Sequence, residues 1–335
     1  MKKYLLPQTG NFYKANLHCH STVSDGCLTP EELKNIYKEQ GYSVLAYTDH
    51  DVLISHNDLA DENFLPLNGY EMEVDEIKDG EFRFKKTCHM CLIALDADNM
   101  KQVCYHSSKY FFIGDAINYI DKIQTDGEPD FIREHTHECI SEMMRRGREK
   151  GFFVTYNHPA WSLEDYSDYI GYNNMHAMEI CNYGSFHAGY CDYNEKEYDD
   201  MLRAGKRIYC IAADDNHNKT SDSFGGFTMI KAEKLEYKTI TNALMDGYFY
   251  ASQGPEIYEL WFEDGKINIS CSEAEKIILH TASRRTKSVV SEDGKTVNNA
   301  VFDVLPEDGY VRITIVDVKG KCANTNAYFI DELMK

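Results

Sequence analysis

Short apolar, β-branched stretches alternate along the first three quarters of the chain with stretches of helical period. The first ends at residues 16–18, a helix is predicted over 30–40, and a buried strand is predicted over 43–48. Thr29 is placed as the N-cap of that helix, and Glu32 completes a capping box. A strand, a crossover helix and a second strand form a βαβ unit, so the sheet is predicted to be at least partly parallel.

The same alternation continues to about residue 255, and polar residues follow most of the predicted strands. Further strands are predicted at 64–70, 87–95, 152–156, 177–181 and 207–212, and further helices at 130–150, 193–204 and 235–246. Barrels and open α/β sheets both place their active sites at the carboxyl ends of such strands. The pattern therefore predicts an α/β fold, either a (β/α) barrel or an open sheet.

After Pro255 the pattern changes to short strands joined by Asp-Gly turns. Strands are predicted at 257–262, 266–271, 276–280 and 311–318, with turns at 264–265, 293–294 and 308–309. We predict two domains, a large one over 1–254 and a small β-sandwich-like one over 255–335. Within the large domain, the weakly periodic residues 97–129 are expected to be an insertion that covers the site.

Charge and composition narrow the function classes. The net charge of −20 argues against a nucleic-acid polymer or an anionic membrane as partner, but small anions remain compatible because bound cations invert a local field. No apolar run approaches the roughly 20 residues of a membrane helix. The eleven cysteines are odd in number and scattered, which is typical of reduced thiols. We expect a cytoplasmic protein that acts on a small molecule.

Three short fragments carry the candidate chemistry, namely 18–20 (His-Cys-His), 49–51 (Asp-His-Asp) and 215–217 (Asp-Asn-His). Each follows an apolar stretch. Residues two apart in a strand share a face, so His18 lies beside His20, and the two outer residues of the last fragment also lie together. Strand ends that direct imidazole and carboxylate groups into one opening predict a polynuclear metal site.

Nine residues are candidate metal ligands, and all offer imidazole or carboxylate donors. They are His18, His20, Asp25, His50, Glu71, His89, His158, Asp215 and His217. Imidazole suits Zn, Mn or Fe, and carboxylates favour harder ions and can bridge two of them. Nine donors exceed the needs of one four-coordinate ion and suit two or three divalent ions. Two ions ~3.5–4 Å apart can stabilise both oxygens of an in-line displacement.

In these motifs the chain resembles the PHP domain family (polymerase and histidinol phosphatase), and the resemblance covers roughly residues 12–255. The motifs are His18-Cys19-His20-Ser21, Ser24-Asp25-Gly26, Tyr47-Thr48-Asp49-His50-Asp51, Gly69-Tyr70-Glu71, His89, Asn157-His158-Pro159 and Asp214-Asp215-Asn216-His217. The resemblance implies a distorted (β/α)7 barrel of the PHP type, similar to a TIM barrel, with two or three metal ions. The chain is similar to the stand-alone hydrolases of the family and not to a polymerase subunit.

The resemblance also implies which residues hold each ion. It gives the first ion His18, His20, Glu71 and Asp215, the second ion Glu71, His89 and His158, and the third ion Asp25, His50 and His217. Glu71 would bridge the first two ions. Asp25 stands where some members of the family have histidine, which makes the third site harder. His18, His50, Asp215 and His217 are expected to serve catalysis directly.

Several residues keep two interpretations. Glu73 competes with Glu71 because both lie on one strand face, although the spacing from Gly69 favours Glu71. Asp49 is either a partner that orients a ligand imidazole or an ordinary residue of a strand-end turn. Glu179 and Asn182 either contact water or substrate or only form the rim.

Other candidates lie outside the ligand pattern. His135 and His137 are expected at the surface, and the CxxC at 88–91 lacks the second pair that a zinc knuckle needs. The residues that could form a substrate wall are Tyr156, Trp161, Tyr183 and His187.

Three functions follow, from different classes. The leading hypothesis is a phosphoesterase in which a metal-bridging hydroxide attacks a small phosphate ester, with Arg133, Arg203 or Arg207 helping to capture the anion. The same site could instead hydrolyse a carboxylic or carbamic ester or an amide. A non-catalytic binding module is the third hypothesis. The β-domain could bind a partner or support an oligomer.

Overall fold

The computed structural model describes residues 2–76, 86–292 and 294–335, which form twenty strands and seven α-helices. The strands are β1 Lys3–Tyr4, β2 Asn11–Asn16, β3 Val44–Tyr47, β4 Leu65–Asp75, β5 Thr87–Ala94, β6 Lys101–Gln102, β7 Gln124–Thr125, β8 Phe152–Tyr156, β9 Ala177–Asn182, β10 Tyr209–Ala213, β11 Phe227–Ala232, β12 Phe249–Ser252, β13 Ile257–Glu263, β14 Lys266–Ala274, β15 Lys276–Thr281, β16 Lys287–Val290, β17 Val297–Asp303, β18 Tyr310–Val316, β19 Cys322–Thr325 and β20 Tyr328–Phe329. The helices are α1 Pro30–Glu39, α2 His137–Glu149, α3 Tyr166–Tyr169, α4 Tyr183–Ala188, α5 Glu195–Arg203, α6 Tyr237–Met245 and α7 Ile330–Leu333. None of the described helices is long and apolar enough to cross a bilayer.

The helix starts show where local sequence signals suffice. At α1 the Thr29 side chain accepts from the Glu32 backbone, and the Glu32 side chain reaches back, so the predicted capping box is confirmed. The predicted helix over 130–150 was wrong at its start, because α2 begins at His137 after the N-cap Thr136. The preceding segment is instead held by a buried ion pair between Arg133 and Asp51.

The central sheet confirms a mixed α/β fold. β2, β3 and β4 are parallel, and β8, β9 and β10 are parallel. Between these groups β5 runs antiparallel to both β4 and β8. Residues 76–86 between β4 and β5 are too few for the crossover of a dozen or more residues that parallel neighbours require. The strict β/α repetition implied by the resemblance is therefore broken at β5.

These seven strands lie in the order β10, β9, β8, β5, β4, β3 and β2. The two outermost, β10 and β2, meet just beyond their carboxyl ends. The Asp215 N–H donates to the His18 carbonyl at 3.0 Å, and the His20 N–H donates to the Asn216 carbonyl at 3.1 Å. These bonds bring the polar extensions of β2 and β10 side by side. On its other side β2 pairs with the antiparallel β11, which continues into β12.

The β-rich C-terminal region consists of two layers. One continues the large sheet in the order β12, β19, β18, β15 and β16, and the other has the order β1, β13, β14 and β17. Apolar side chains of both layers form one core, which includes Leu260, Ile269 and Ile313. The N-terminal strand β1 pairs with β13, and Leu5 and Leu6 enter the same core. The boundary at 254/255 stays a prediction.

The predicted C-terminal strands correspond to β13, β14, β15 and β18. The turn at 264–265 joins β13 and β14, and both of its residues have positive φ, as a tight hairpin turn requires. The turn at 308–309 precedes β18, but the one at 293–294 includes Asp293, which lies outside the described residues.

The predicted insertion over 97–129 packs beside the carboxyl ends of the strands. It contains the paired strands β6 and β7 and a 3-10 helix, Ala116–Lys122. The Asp115 N–H donates to the Ser24 carbonyl, and Ile113 lines the cavity described below. The prediction that this segment covers the site is confirmed at Ile113.

Candidate metal centre

The structure brings all nine predicted ligands to one end of the central strands. His18 and His20 follow β2, Asp25 lies in the next loop, His50 follows β3, Glu71 is in β4, His89 is in β5, His158 follows β8, and Asp215 and His217 follow β10. Isolated bridges continue the pairing past the strands, at His50 with Glu71 and at His89 with Asn157. The side chains are therefore set by backbone pairing on several neighbouring strands.

Glu71 lies at the centre of this cluster and is 1% exposed. Its two oxygens are 3.1–3.4 Å from five imidazole nitrogens, those of His18, His20, His50, His89 and His158. Of the cluster's histidines, Glu73 approaches His89 alone, at 3.5 Å, and it lies at the edge of the group. The geometry favours Glu71 as the central carboxylate, as the spacing from Gly69 predicted.

Asp215 forms a second centre. Its Oδ1 is 3.2 Å from His18 Nε2 and 3.1 Å from His20 Nε2. The backbone φ is 51° at Asp215 and 26° at His158, both in the left-handed region that non-glycine residues rarely adopt. Backbone strain of this kind is retained where the surrounding structure needs a side chain in one position.

Asp25 lies at the more open end of the cluster. Its Oδ1 is 3.3 Å from His217 Nε2 and 3.7 Å from His50 Nε2, and its Oδ2 is 3.0 Å from Lys219 Nζ. Asp25 and His217 are each more than a fifth exposed, unlike the fully buried His18 and His20. The group predicted for a third ion is therefore the most accessible one.

Several buried atoms of the cluster have no hydrogen-bond partner in the described structure. They are Nδ1 of His20, His50 and His89 and Oδ1 of Asp25 and Asp215. Unpaired polar atoms of this kind cost folding free energy, and natural proteins rarely leave them so. Imidazole and carboxylate donors directed at one another across ~3–4 Å fit a divalent cation between them.

Four groups of donor atoms among the described residues are compact enough to hold an ion, and three of them contain only imidazole and carboxylate donors. They are His18 with His20 and Asp215, then His50 with Glu71 and His89, and then His20 with Asp25, His50 and His217. The first and third match the first and third predicted sites closely. The second differs by having His50 where His158 was predicted, although His158 Nε2 is 3.3 Å from Glu71.

Electrostatic effects in the cluster are strong. Burial lowers the pKa of His20, but the nearby carboxylates of Asp215 and Glu71 outweigh it and raise that pKa to about 10. Burial likewise opposes protonation of His158, whose pKa nevertheless rises to about 9 beside Glu71. Burial raises the pKa of Glu71, but the imidazoles of His18 and His89 bring it well below its usual range. The carboxylates therefore attract positive charge, which protons or metal ions can supply.

Glu179 contacts two of the predicted ligands, His18 and His158, on the side away from the cavity. The sequence analysis did not predict this role. It is fully buried, its Oε1 is 2.7 Å from His18 Nδ1, and its Oε2 accepts from the His158 N–H and from Asn182 Nδ2. A carboxylate on the far nitrogen of a ligand histidine fixes its tautomer and orientation. The sequence placed Glu179 at the end of a strand, whereas the structure places it inside β9.

Asp49 does not orient a ligand imidazole. Its two oxygens accept from the backbone N–H groups and hydroxyls of Ser21 and Ser24. It therefore fixes the turn that leads from His20 to Asp25.

None of the three arginines suggested for capturing an anionic substrate lines the cavity. Arg133 is buried and paired with both oxygens of Asp51, with one contact at 3.1 Å. Arg203 pairs with residues of its own helix, and Arg207 pairs with the C-terminal helix α7. Within the described residues, Lys219 is the only lysine or arginine that lines the cavity.

The cavity over the cluster has a volume of about 390 Å³. Its lining residues are Asp25, His50, Glu71, Glu73, His89, Ile113, His158, Trp161, Gly184, Ser185, Ala188, Asp215, His217, Lys219, Thr220 and Asp222. Trp161 packs edge-on against His89 and His158 and stays 40% exposed. The cavity therefore has an aromatic side near these histidines and a cationic side near Asp25.

Of the predicted wall residues, Trp161 lines the cavity. Tyr156 is buried and donates to Glu164, while Tyr183 and His187 are outside the lining, although other residues of α4 belong to it. Gly184 is needed there, since a Cβ would lie 2.8 Å from the Asp214 carbonyl oxygen.

His135 and His137 lie outside the cluster. Nε2 of His135 approaches Glu164, and Nε2 of His137 contacts the Ser167 carbonyl. His135 has a side chain only 8% exposed, so it is less superficial than predicted. Cys88 and Cys91 are both free and buried on β5, and burial raises the pKa of the Cys91 thiol to about 11.

Three known proteins are similar to this chain over different lengths. A 5′–3′ exoribonuclease from Haemophilus influenzae is 55% identical over 40 residues, which are 12% of this chain and 15% of that protein, so the match spans a small part of the relative. A two-domain protein from Bacteroides vulgatus containing a predicted PHP-like metal-dependent phosphoesterase has a TM-score of 0.48 at 16% identity, covering 98% of both chains. An amidohydrolase from Chromobacterium violaceum, with bound sulfate and no metal, has a TM-score of 0.40 at 17% identity, covering 62% of this chain and 89% of that one.

A family model provides the assignment. The PHP domain model matches residues 16–209, which is more than half of the chain and includes every predicted ligand except those that follow β10. The chain belongs to the PHP domain family.

Proposed function

We propose that this protein is a metal-dependent phosphoesterase that hydrolyses a small phosphate ester. One observation carries the proposal: nine imidazole and carboxylate side chains form one cluster, seven of them line one cavity, and His18 and His20 are buried behind them. Five buried atoms of this cluster have no hydrogen-bond partner in the described structure. Membership of the PHP domain family and these ligand groups support a metal-dependent hydrolase.

The donor set suits two or three divalent ions, and its mixture of imidazole and carboxylate suits Mn, Fe or Zn. The ligands we assign are the three compact groups together with His158. Bound ions would acidify a water molecule and neutralise charge that develops on the phosphoryl oxygens. Glu71 touches the imidazoles of two of the groups, so we assign it the bridging position.

The protein groups have distinct tasks in this proposal. His18 is fully buried, Asp215 lies next to it on the cavity wall, and together they would position the reacting centre, with Glu179 holding the His18 ring. His50 and His217 lie toward the open side, where as neutral imidazoles they would hold an ion near the leaving oxygen. Lys219 lies beside Asp25 at the rim and can attract an anionic substrate, the task first expected of an arginine.

We also infer that the seven central strands close into a distorted barrel. The two hydrogen bonds between the extensions of β2 and β10 support closure at the end that carries the site. We retain the division into domains at 254/255 and a cytoplasmic location as parts of the same proposal.

A specific observation keeps a second candidate, hydrolysis of a carboxylic or carbamic ester or an amide. No arginine lines the cavity among the described residues, whereas bidentate arginine is the usual partner of a phosphate group. In that reaction the ions would polarise a carbonyl group instead of a phosphoryl group.

The direct test is turnover by Mn-reconstituted protein of p-nitrophenyl phosphate, nucleoside monophosphates and short 5′-phosphorylated RNA, the last because of the exoribonuclease relative. Phosphate release that is competitively inhibited by inorganic phosphate would support the phosphoesterase. His158→Ala and Asp215→Asn should abolish turnover while the protein stays folded. Full metal loading without phosphate release, together with hydrolysis of p-nitrophenyl acetate, would favour the second candidate.

A further inference from the structure

We propose that Cys91 supplies a sulfur ligand to the metal centre, next to His18 and Glu71. The inference rests on the proposed function, since it assumes that cations occupy the cluster. It concerns a residue outside the nine nitrogen and oxygen donors, and it implies an ion that accepts a soft ligand.

The position of Cys91 follows from the register of β5. It lies two residues after His89, so both side chains point to the same face of the strand. In the antiparallel pair of β4 and β5, Cys91 lies directly opposite Glu71. The side chain is fully buried. Cys91 therefore lies one layer below His89, facing the central carboxylate.

The separation of the donor atoms fits shared coordination. The sulfur and one ligand atom each of His18 and Glu71 all lie within 4.8 Å of one another. A zinc ion bound at about 2.3 Å to sulfur and about 2.0 Å to nitrogen separates such donors by roughly 3.5–4 Å. A small adjustment of side chains therefore places all three around one ion.

The side-chain amide of Asn157 is oriented to donate a hydrogen bond to the Cys91 sulfur. Thr155 Oγ1 donates to Asn157 Oδ1 at 2.7 Å, so the amide nitrogen must face the other way. That nitrogen is 3.0 Å from Cys91 Sγ and 3.2 Å from Glu71 Oε1. An N–H donor directed at both atoms is the outer support that metal-bound thiolates and carboxylates commonly have.

Cys88 provides a natural comparison on the same strand. It lies three residues before Cys91, so its side chain points to the opposite face, and it packs in the apolar core. The Cys88 sulfur is in none of the compact ligand groups of the described residues. A buried thiol alone is therefore not what distinguishes Cys91.

When a metal ion binds the Cys91 sulfur, a metal–sulfur bond replaces the S–H bond. The thiol proton leaves to solvent as the metal–sulfur bond forms, with no change in oxidation state. Thiolate favours Zn, Fe or Co over Mn and Mg. We therefore expect Cys91→Ser to weaken zinc binding more than manganese binding.

The experiment is absorption spectroscopy of the full-length protein reconstituted with Co²⁺. We expect visible d–d bands and a near-ultraviolet sulfur-to-cobalt charge-transfer band in the wild type. The charge-transfer band should be lost in Cys91→Ser and in Cys91→Ala, and kept in Cys88→Ser. The visible bands should remain in all variants.

The outcomes separate this inference from the proposed function. Visible bands without a charge-transfer band in the wild type would overturn sulfur ligation and leave the metal centre standing. Survival of the band in a Cys91 variant would also overturn it, since another of the free cysteines would then be the source of the band. Failure of the wild type to bind cobalt at all would overturn the metal centre itself. The wild-type spectrum alone can refute sulfur ligation, so the inference remains testable even if a variant does not fold.

Discussion

Two buried clusters of charged groups among the described residues differ in how their charges are satisfied. One joins α5 to the C-terminal β-rich region around Arg312, which is 1% exposed. Its guanidinium donates to both oxygens of Asp199, at 2.8 and 3.0 Å, and also to Glu195, Thr314 and Asn324. The other is the metal-ligand cluster, in which several buried nitrogen and oxygen atoms have no partner in the described structure.

The comparison separates a structural ion pair from a binding site. Burying charge costs several kcal/mol per ion, and Arg312 recovers this cost from partners within the chain. Around Glu71 the imidazoles are directed at carboxylates without forming a complete set of hydrogen bonds. A cluster left incomplete by the chain itself is one that a cation can complete, and the predictions below test this distinction.

Replacing the central carboxylate should have the largest effect. Glu71→Gln keeps the shape of the side chain but removes the charge that we assign to the bridging position. We expect kcat/KM for a phosphate ester to fall by about 10³-fold or more, equivalent to roughly 4 kcal/mol. Glu73→Gln, a change at a carboxylate of the same strand and cavity, should cost less than about tenfold. Equal losses in the two variants would refute the central role of Glu71.

Removing Arg312 from its buried cluster should instead lower the stability of the fold. Arg312→Met leaves Asp199 buried without its main partner, and we expect the free energy of unfolding to fall by about 3–5 kcal/mol. Arg203→Met removes a half-exposed partner of the same aspartate and should cost less than about 1 kcal/mol. Urea denaturation of the metal-loaded protein measures both. Lost metal binding with unchanged stability in Arg312→Met would contradict the comparison.

The contact between Glu179 and His18 should affect the affinity for metal ions. Glu179→Gln keeps an acceptor but removes the negative charge from the far nitrogen of His18. We expect the affinity for Zn²⁺ to fall by about 10–100-fold, measured by competition with a chelator. Glu164→Gln is the control, because Glu164 is a buried carboxylate paired with Tyr156 and Tyr172 away from the ligands. An equal loss in the control would show a general effect of buried charge.

The smallest effect is expected at the cavity rim. Lys219→Met removes the only lysine or arginine of the described lining, and KM for an anionic ester should rise by about tenfold, or roughly 1.4 kcal/mol, with kcat little changed. The dependence of KM on ionic strength should weaken at the same time. Lys238→Met, at an exposed pair with Asp96, serves as the control. An unchanged KM would exclude Lys219 from substrate capture.

The sequence predicted most of the ligand cluster because the signals there are local. Two-residue spacing at a strand end places His18 beside His20, and the same rule holds for Asp215 and His217. Capping at Thr29 and alternation along β13 to β15 are local as well, which explains why those elements were predicted well.

The parts that the sequence did not predict depend on contacts between distant residues. The pairing of Arg133 with Asp51 removed an arginine from the site and ended the predicted helix extension, and no local pattern signals it. The support of His18 by Glu179 and the pairing of β1 with β13 join residues more than 150 positions apart. Lys219 was missed because a single exposed lysine has no periodicity that distinguishes it.

The most direct test of the metal centre is the metal content of the full-length protein, measured by elemental analysis after reconstitution and removal of free metal. Glu71→Gln, prepared in parallel, shows how much metal binds without the central carboxylate. We predict about two or three divalent ions per wild-type chain and a clearly lower content in the variant. A wild-type protein that retains no more metal than Glu71→Gln would contradict the claim that the unpaired atoms of this cluster form a metal centre.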